Sequence, residues 1–361
     1  MCIICTGEDI SNMTSLNLDW CTELTSLPEH LPEGLERLDC WGCTELTRLP
    51  EHLPEGLKRL YCYDCKGLTH LPDPLPAGLE SLDCYGCTGL THLPEHLPEG
   101  LKSLKCGDCN GLTRLPERLP AGLETIICHD CRGITCLPEH LPETLNYLNC
   151  SGCTGLTRLP SLPEGLEELN CNRCKGLTHL PERLPDGLEE LNCNRCKGLT
   201  HIPENLPAGL EMLHCVDCTG LTHLPEHLPE SLEYLNCQGC TGLTSLPERI
   251  PEALKWLDCC GCTGLTHLPE HLPEGLERLD CWGCPGLTRL PEHLPEGLKR
   301  LYCYDCTALT CLPSLPEGLE YLKCEGCLLL LSDDPRVLKQ IDIDANRRRH
   351  LQIQKTKEKL L

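Results

Sequence analysis

The sequence has no phenylalanine, three methionines and only 12 aromatic residues in 361, which excludes a conventional aromatic core. Basic residues are also scarce, since 31 Lys and Arg stand against 54 Asp and Glu and give a net charge of −23. This balance lacks the basic footprint of a nucleic-acid-binding protein. No apolar run reaches the length of about 18 residues that a membrane helix needs, and no secretory signal peptide is recognisable at the start. We therefore expect a soluble, cytoplasmic protein that binds neither nucleic acid nor a membrane.

Proline, glycine and cysteine are abundant, with 31, 31 and 34 residues. Prolines spread along the chain exclude long helices, because an interior proline removes a backbone hydrogen bond and clashes with the preceding turn. The sequence also aligns with itself after a shift of 22 residues, and two of the steps are 21 residues long. A repeat of this length is typical of solenoid proteins.

Each unit follows the pattern L-x-x-L-x-C-x-x-C-x-x-L-x-x-L-P-x-x-L-P-x-x, as in the unit that begins at Leu35. The alternation of apolar and polar residues at its start predicts a short strand with one buried face. The two Leu-Pro pairs predict an extended return segment, because proline cannot donate to a sheet. One unit cannot bury its own apolar edge, so neighbouring units are expected to stack their strands into a parallel sheet.

These features predict an α/β-type repeat solenoid dominated by a curved parallel sheet with an extended, polyproline-like convex side, which resembles a leucine-rich-repeat horseshoe. The solenoid is assigned to residues 13–331 and comprises 15 units of 21 or 22 residues, of which the first is degenerate. Residues 1–12 are predicted to form an N-terminal cap over the open edge of the sheet. Residues 332–361 are basic and contain Asp333-Asp334-Pro335, which predicts a short C-terminal capping helix.

The Leu-Pro units resemble those of bacterial leucine-rich-repeat effectors of the YopM and IpaH type. The match is best at Leu159-Pro-Ser-Leu-Pro163, and the resemblance extends over residues 13–327. The cysteine in the turn, where that family usually has asparagine, is also similar to the cysteine-type repeats of plant immune receptors. The resemblance to effectors implies a protein-binding scaffold that a dedicated secretion system delivers into a host cell. The residues after Cys327 are too few for an IpaH-type ligase domain, so we expect no enzyme.

Fourteen C-x-x-C pairs, beginning with Cys40 and Cys43, contain 28 of the 34 cysteines. We interpret them as core residues: the first follows the strand and points inward, and the S–H of the second reaches a carbonyl of the stacked neighbour. No metal or cofactor is then expected. The alternative is a thiol-rich metal-binding or redox protein, because stacked thiolates bind soft metals such as zinc. Its candidate ligands are Cys40, Cys43, Cys62 and Cys65.

All 12 aromatic residues occupy strand or turn positions that are predicted to face away from the core. Tyrosine and tryptophan combine a large contact area with a polar tip, and they are common anchors of protein interfaces. The alternative is that neighbouring rings merely stack along the sheet. We predict that the concave sheet face binds a protein partner. The proposed contact residues are Trp41, Tyr61, Tyr63, Tyr85, Tyr147, Tyr234, Trp256, Trp282, Tyr302, Tyr304 and Tyr321.

Overall fold

The computed structural model describes residues 2–327. The predicted C-terminal helix over residues 332–361, and residues 328–331 of the predicted solenoid, lie outside the described residues. The chain divides into two compact units, Met1–Gly198 and Leu199–Leu361. No helix within residues 2–327 is long and apolar enough to cross a membrane.

The first unit begins with a single short helix, α1 (Ile3–Thr6), and continues with nine strands of three residues each. Each strand pairs in parallel with the next along the chain, and Leu38 of the second strand lies in register with Leu16 and Leu60 of its neighbours. The strands are β1 (Ser15–Asn17), β2 (Arg37–Asp39), β3 (Arg59–Tyr61), β4 (Ser81–Asp83), β5 (Ser103–Lys105), β6 (Thr125–Ile127), β7 (Tyr147–Asn149), β8 (Glu168–Asn170) and β9 (Glu190–Asn192).

The second unit contains six strands with the same parallel, residue-for-residue pairing, as in the alignment of Leu235 with Leu213 and Leu257. Each of the fifteen predicted repeats therefore contains one strand. The strands of this unit are β10 (Met212–His214), β11 (Tyr234–Asn236), β12 (Trp256–Asp258), β13 (Arg278–Asp280), β14 (Arg300–Tyr302) and β15 (Tyr321–Lys323).

A tight turn introduces each strand. In the third repeat the backbone N–H of Leu57 donates to the carbonyl of Pro54 at 3.0 Å, and the same bond recurs in the other regular repeats. Proline suits the first position of this Pro-x-x-Leu turn because its φ angle is already restricted. The return segments contain no helix in residues 2–327, and their ladder contacts are isolated bridges such as Ser26 with Arg48. The exclusion of long helices by proline is confirmed.

The core consists of columns of leucine and cysteine, as the repeat predicts. In the second repeat Leu35, Leu38, Cys40, Cys43 and Leu46 have no exposed surface. The leucines of the return segment are nearly as buried, with at most 9% exposure in most repeats. Each unit therefore buries its apolar residues against its neighbours and needs no phenylalanine. The parallel sheet and this core establish the predicted leucine-rich-repeat fold.

One backbone feature of the turn is absent from the sequence-based prediction. The first cysteine of each C-x-x-C pair is replaced by Leu18 in the first repeat. The residue two positions after this cysteine, or after Leu18, has a left-handed conformation in every repeat, with φ between 56° and 75°. Glycine adopts this conformation without strain and aspartate tolerates it, whereas other residues are disfavoured there. The residues are Trp20, Gly42, Asp64, Gly86, Asp108, Asp130, Gly152, Arg173, Arg195, Asp217, Gly239, Gly261, Gly283, Asp305 and Gly326.

Candidate functional site: the open face of the sheet

The strands have two different faces. The central residue of each strand, such as Leu38 in β2, lies in the core, whereas the residues on either side of it point to the opposite face. We call this opposite face, together with the two turn residues that follow each strand cysteine or its equivalent, the open face. All eleven predicted contact residues lie on it, as does Trp20. Their placement opposite the core therefore agrees with the prediction, whereas their role in binding stays a proposal.

In the first unit, five rings from the turns of repeats one to four and six form a continuous stack, which we call the first aromatic stack. Centroid distances are 5.3 Å from Trp20 to Trp41, 5.2 Å from Trp41 to Tyr63 and 4.6 Å from Tyr63 to Tyr85. The stack ends at His129, whose ring lies 5.1 Å from that of Tyr85. Such ring pairs each contribute about 0.5–1.5 kcal/mol beyond burial. The rings therefore form one preorganised apolar surface.

The second unit carries a cluster of rings built mainly on strand residues, which we call the second aromatic cluster. His214 lies 4.8 Å from Tyr234, and Tyr234 meets Trp256 edge to face at 4.6 Å. The Arg278 guanidinium lies 4.1 Å above the Trp256 ring and 5.3 Å from the ring of Tyr302. Arginine between two aromatic rings is a cation–π arrangement, and this combination of residue types is typical of interface hot spots.

A buried carboxylate fixes the centre of the second aromatic cluster. Oδ2 of Asp280, which is 2% exposed, accepts hydrogen bonds from Nε of Arg278 at 2.8 Å and from Nε1 of Trp256 at 3.2 Å. Because these bonds hold the guanidinium and the indole in place, both side chains have little conformational freedom left. The arrangement is therefore a rigid, preorganised surface.

The same arrangement occurs in the first unit. Arg37 donates from Nε to Oδ2 of Asp39 at 2.8 Å, and its guanidinium lies 5.0 Å from the Tyr61 ring. In both units the second carboxylate oxygen, Oδ1 of Asp39 and of Asp280, is buried without a hydrogen-bond partner. A buried polar atom without a partner costs stability, about 1–3 kcal/mol, so packing alone does not account for these aspartates.

The remaining predicted contact residues are more scattered. Trp282 and Tyr304 stack nearly parallel, with ring centroids 5.0 Å apart and an interplanar angle of 4°. Tyr147 is half-buried and its hydroxyl accepts a long bond of 3.4 Å from Nδ2 of Asn149. Tyr321 is 53% exposed. The structure therefore brings most but not all of the predicted rings into contact with another ring. Stacking along the sheet, the alternative interpretation, thus occurs in rings that also lie on the open face.

The core side of the turns contains a ladder of thiols. Cys65 donates from Sγ to the carbonyl oxygen of Cys40 at 2.9 Å, one repeat earlier along the chain. In the degenerate first repeat the acceptor is the carbonyl of Leu18, which receives the thiol of Cys43 at 3.1 Å. The predicted S–H bond to the stacked neighbour is thus confirmed. It recurs at Cys87, Cys109, Cys131, Cys153, Cys174, Cys196, Cys240, Cys262, Cys284, Cys306 and Cys327.

Burial makes these thiols poor metal ligands and poor nucleophiles. Burial raises the pKa of Cys43 to about 11, and it raises the pKa of Cys65 further still. Within residues 2–327, the alternative ligand set Cys40, Cys43, Cys62 and Cys65 is not a group whose sulfur atoms all lie within 4.8 Å of one another. This geometry supports the packing interpretation of the C-x-x-C pairs.

The list of predicted contact residues, which contains only tyrosine and tryptophan, omits His129, Arg278 and Asp280. His129 occupies the turn position that holds tyrosine in other repeats, and Arg278 occupies the strand position of Trp256. Aligning the repeats by position, rather than selecting tyrosine and tryptophan, identifies both residues. The burial of Asp280 depends on the neighbouring rings, and an alignment of the repeats does not reveal it.

The chain is similar to several solved leucine-rich-repeat structures. It is 26% identical to YopM from Yersinia enterocolitica over 87% of this chain and 91% of that one, with a TM-score of 0.36. It is 28% identical to YopM from Yersinia pestis, a leucine-rich effector protein, over 86% and 88%, with a TM-score of 0.48. It is 20% identical to a domain of InlJ from Listeria monocytogenes that includes a cysteine ladder, over 82% and 68%, with a TM-score of 0.36. No family model and no curated protein sequence matches the chain.

Proposed function

We propose that the protein is a non-enzymatic scaffold that binds a protein partner through the open face of its sheet. The observation that carries the proposal is the distribution of the aromatic residues: all 12 lie on the open face and none in the core. In an ordinary fold such rings contribute to the core, because they bury the most apolar surface. Here leucine and cysteine fill the core, and the rings remain available to a partner.

The net charge of the chain indicates which kind of protein partner it can attract. The net charge of −23 repels acidic surfaces and attracts basic ones at long range. Within the open face, the positive charge of Arg278 is neutralised by Asp280, so the second aromatic cluster presents rings rather than free charge. We therefore propose a basic protein partner whose contact residues include apolar or cationic side chains that pack on these rings.

The experiment is affinity capture from a cell lysate with the full chain, followed by binding measurements with each captured protein. The variant Trp282→Ala with Tyr304→Ala removes a stacked pair that makes no hydrogen bond to the core, so the fold is expected to survive. The matched control is His267→Ala in an exposed return segment. We expect at least about tenfold weaker binding for the double variant and wild-type binding for the control. Equal binding by all three proteins would refute the proposal.

A second proposal concerns the cell compartment in which the protein acts. We propose that the protein acts inside a host cell after delivery by a secretion system, and the support is the resemblance of its Leu-Pro units to those of bacterial effectors. A reporter enzyme fused to the chain and expressed with a functional or inactivated secretion system measures delivery. Delivery that depends on the system is expected, and absence of the reporter from host cells would contradict it.

A further inference from the structure

The thiol ladder has an unusual first member. Cys21 occupies the turn position whose thiol, in later repeats, donates to the carbonyl of the preceding repeat. Cys21 belongs to the first repeat, so no preceding repeat offers a carbonyl. Instead its sulfur lies 3.4 Å from the sulfur of Cys5. The cysteine that begins the ladder therefore faces a thiol from the N-terminal segment.

A second cysteine of that segment completes a cluster. Cys2 is the N-cap of helix α1 and Cys5 lies within the helix, so the two form a C-x-x-C pair, and their sulfur atoms are 3.7 Å apart. The ligand atoms of Cys2, Cys5 and Cys21 all lie within 4.8 Å of one another, and no other group of three His, Cys, Asp or Glu within residues 2–327 is as close. Three sulfur atoms are thus brought together from two separate elements.

The distances match those of a zinc thiolate site. Zinc binds thiolates at about 2.3 Å in a tetrahedral arrangement, which separates neighbouring sulfur atoms by about 3.8 Å. The two separations, 3.4 and 3.7 Å, are close to this value and far longer than the bond of about 2.05 Å in a disulfide. Little movement of the side chains is needed to accommodate an ion.

The cluster is also accessible. Cys5 is exposed and Cys2 is half-buried, whereas Cys21 is buried beneath them. An ion can therefore reach the sulfur atoms from solvent. The thiols of the ladder, apart from that of Cys327, lack this access, because they are buried and already bonded to carbonyls. The cluster differs from the rest of the C-x-x-C array in both respects.

Thiolates rather than thiols bind zinc, so metal binding displaces protons from the cluster into solvent.

We propose that Cys2, Cys5 and Cys21 bind one zinc ion through three thiolates, with water as the fourth ligand. The ion ties helix α1 to the first repeat and so covers the end of the array. This structural zinc site is independent of the proposed function, because it joins the N-terminal segment to the first repeat and uses none of the aromatic residues.

Cobalt titration tests the site directly. Cobalt(II) substitutes for zinc, and coordination by thiolate produces a sulfur-to-cobalt charge-transfer band that the exposed histidines of the return segments do not produce. The protein is the full chain without an affinity tag, reduced and freed of metal. We expect the band to saturate at one cobalt per chain and to disappear when one equivalent of zinc is added.

The variant Cys5→Ser removes the exposed ligand without disturbing the core. We expect it to lose the band and to bind zinc at least about 100-fold more weakly. The matched control is Cys136→Ser with Cys311→Ser, which replaces two exposed cysteines outside the cluster. This control should keep the band. A zinc-dependent protection of helix α1 against proteolysis should be present in the control and absent in Cys5→Ser.

Several results would overturn the proposal. These are the absence of a charge-transfer band, a band that persists in Cys5→Ser, uptake of copper(I) without zinc or cobalt, and a disulfide among the three cysteines in protein that was never exposed to oxidant.

Discussion

Tyr85 and His129 contact each other across Gly107, with their ring centroids 5.1 Å apart, although they belong to turns two repeats apart. The turn between them has glycine where the neighbouring turns have a ring. A methyl group on Gly107 would lie 2.9 Å from Cδ2 of His129 and 3.0 Å from Cδ2 of Tyr85. The gap in the first aromatic stack is therefore closed because glycine leaves room for the two rings to meet.

Gly107→Ala should separate the two rings. We expect a loss of about 1 kcal/mol in the free energy of unfolding, which is the contribution of one aromatic pair, and a change in the ring-current shift of the His129 protons. Denaturant unfolding and NMR measure the two effects. The control Gly34→Ala adds a methyl group where no atom lies within 4 Å, so its stability should be unchanged. Identical behaviour of the two variants would contradict the described contact.

Arg173→Gly should stabilise the protein. Arg173 has a φ of 60°, which strains any residue with a Cβ atom by about 1 kcal/mol, and glycine relieves that strain. The reverse test is Gly283→Ala, since Gly283 has a φ of 66° and its added methyl group would meet no atom closer than 3.7 Å. In thermal unfolding, Arg173→Gly should raise the Tm and Gly283→Ala should lower it. Shifts of the same sign would contradict the account.

Native-state alkylation should separate the cysteines into two classes. All but five of the 34 cysteines are buried, and burial raises the pKa of thiols such as Cys43. Iodoacetamide at pH 8 should therefore modify the native protein quickly at no more than five positions, and the remainder only after unfolding. Mass spectrometry identifies the sites. The five residues are Cys2, Cys5, Cys136, Cys311 and Cys327. Rapid modification of a buried ladder thiol, or disulfides within the ladder, would contradict the packing role.

Asp258→Asn should stabilise the protein at pH 7 and not in acid. Burial raises the pKa of Asp258, so its ionised form at neutral pH costs folding free energy, and this cost disappears as the pH falls through the folded pKa to the unfolded value. Asparagine retains the acceptor for the N–H of Cys260, a bond of 3.1 Å, without the charge. We expect a gain below about 1 kcal/mol at pH 7 that vanishes near pH 4.

The matched reverse change is Asn192→Asp, since Asn192 accepts the corresponding turn N–H at 3.2 Å. It should lose stability at pH 7. Unfolding curves at both pH values measure the differences, and a pH-independent difference for either variant would show that charge burial is not the cause.

The repeat made the strands and the core predictable. A strand appears wherever the Leu-x-x-Leu-x-Cys pattern occurs, because alternation determines which residues can be buried, and Leu38 and Cys40 lie in the core for this reason. It was also predictable that the Cys43 thiol donates to a backbone carbonyl, since stacking brings a carbonyl of the preceding repeat beside each turn.

Contacts between side chains on the open face were less predictable. The pairing of Tyr85 with His129 depends on the missing side chain of Gly107, and the position of Trp20 depends on the bare backbone of Gly42. The cluster of Cys2, Cys5 and Cys21 depends on the path of the N-terminal segment, which lies outside the repeat. The period constrains the geometry within the array but not that of the chain that precedes it.

The central claim is that the partner sits on the open face of the sheet. Site-specific photo-crosslinking tests it most directly, with a photoreactive amino acid placed at Tyr304 on the open face and, as the control, at His267 on a return segment. The account predicts that the captured partner is crosslinked from position 304 and not from position 267. Crosslinking from position 267 alone, or equally from both positions, would contradict it.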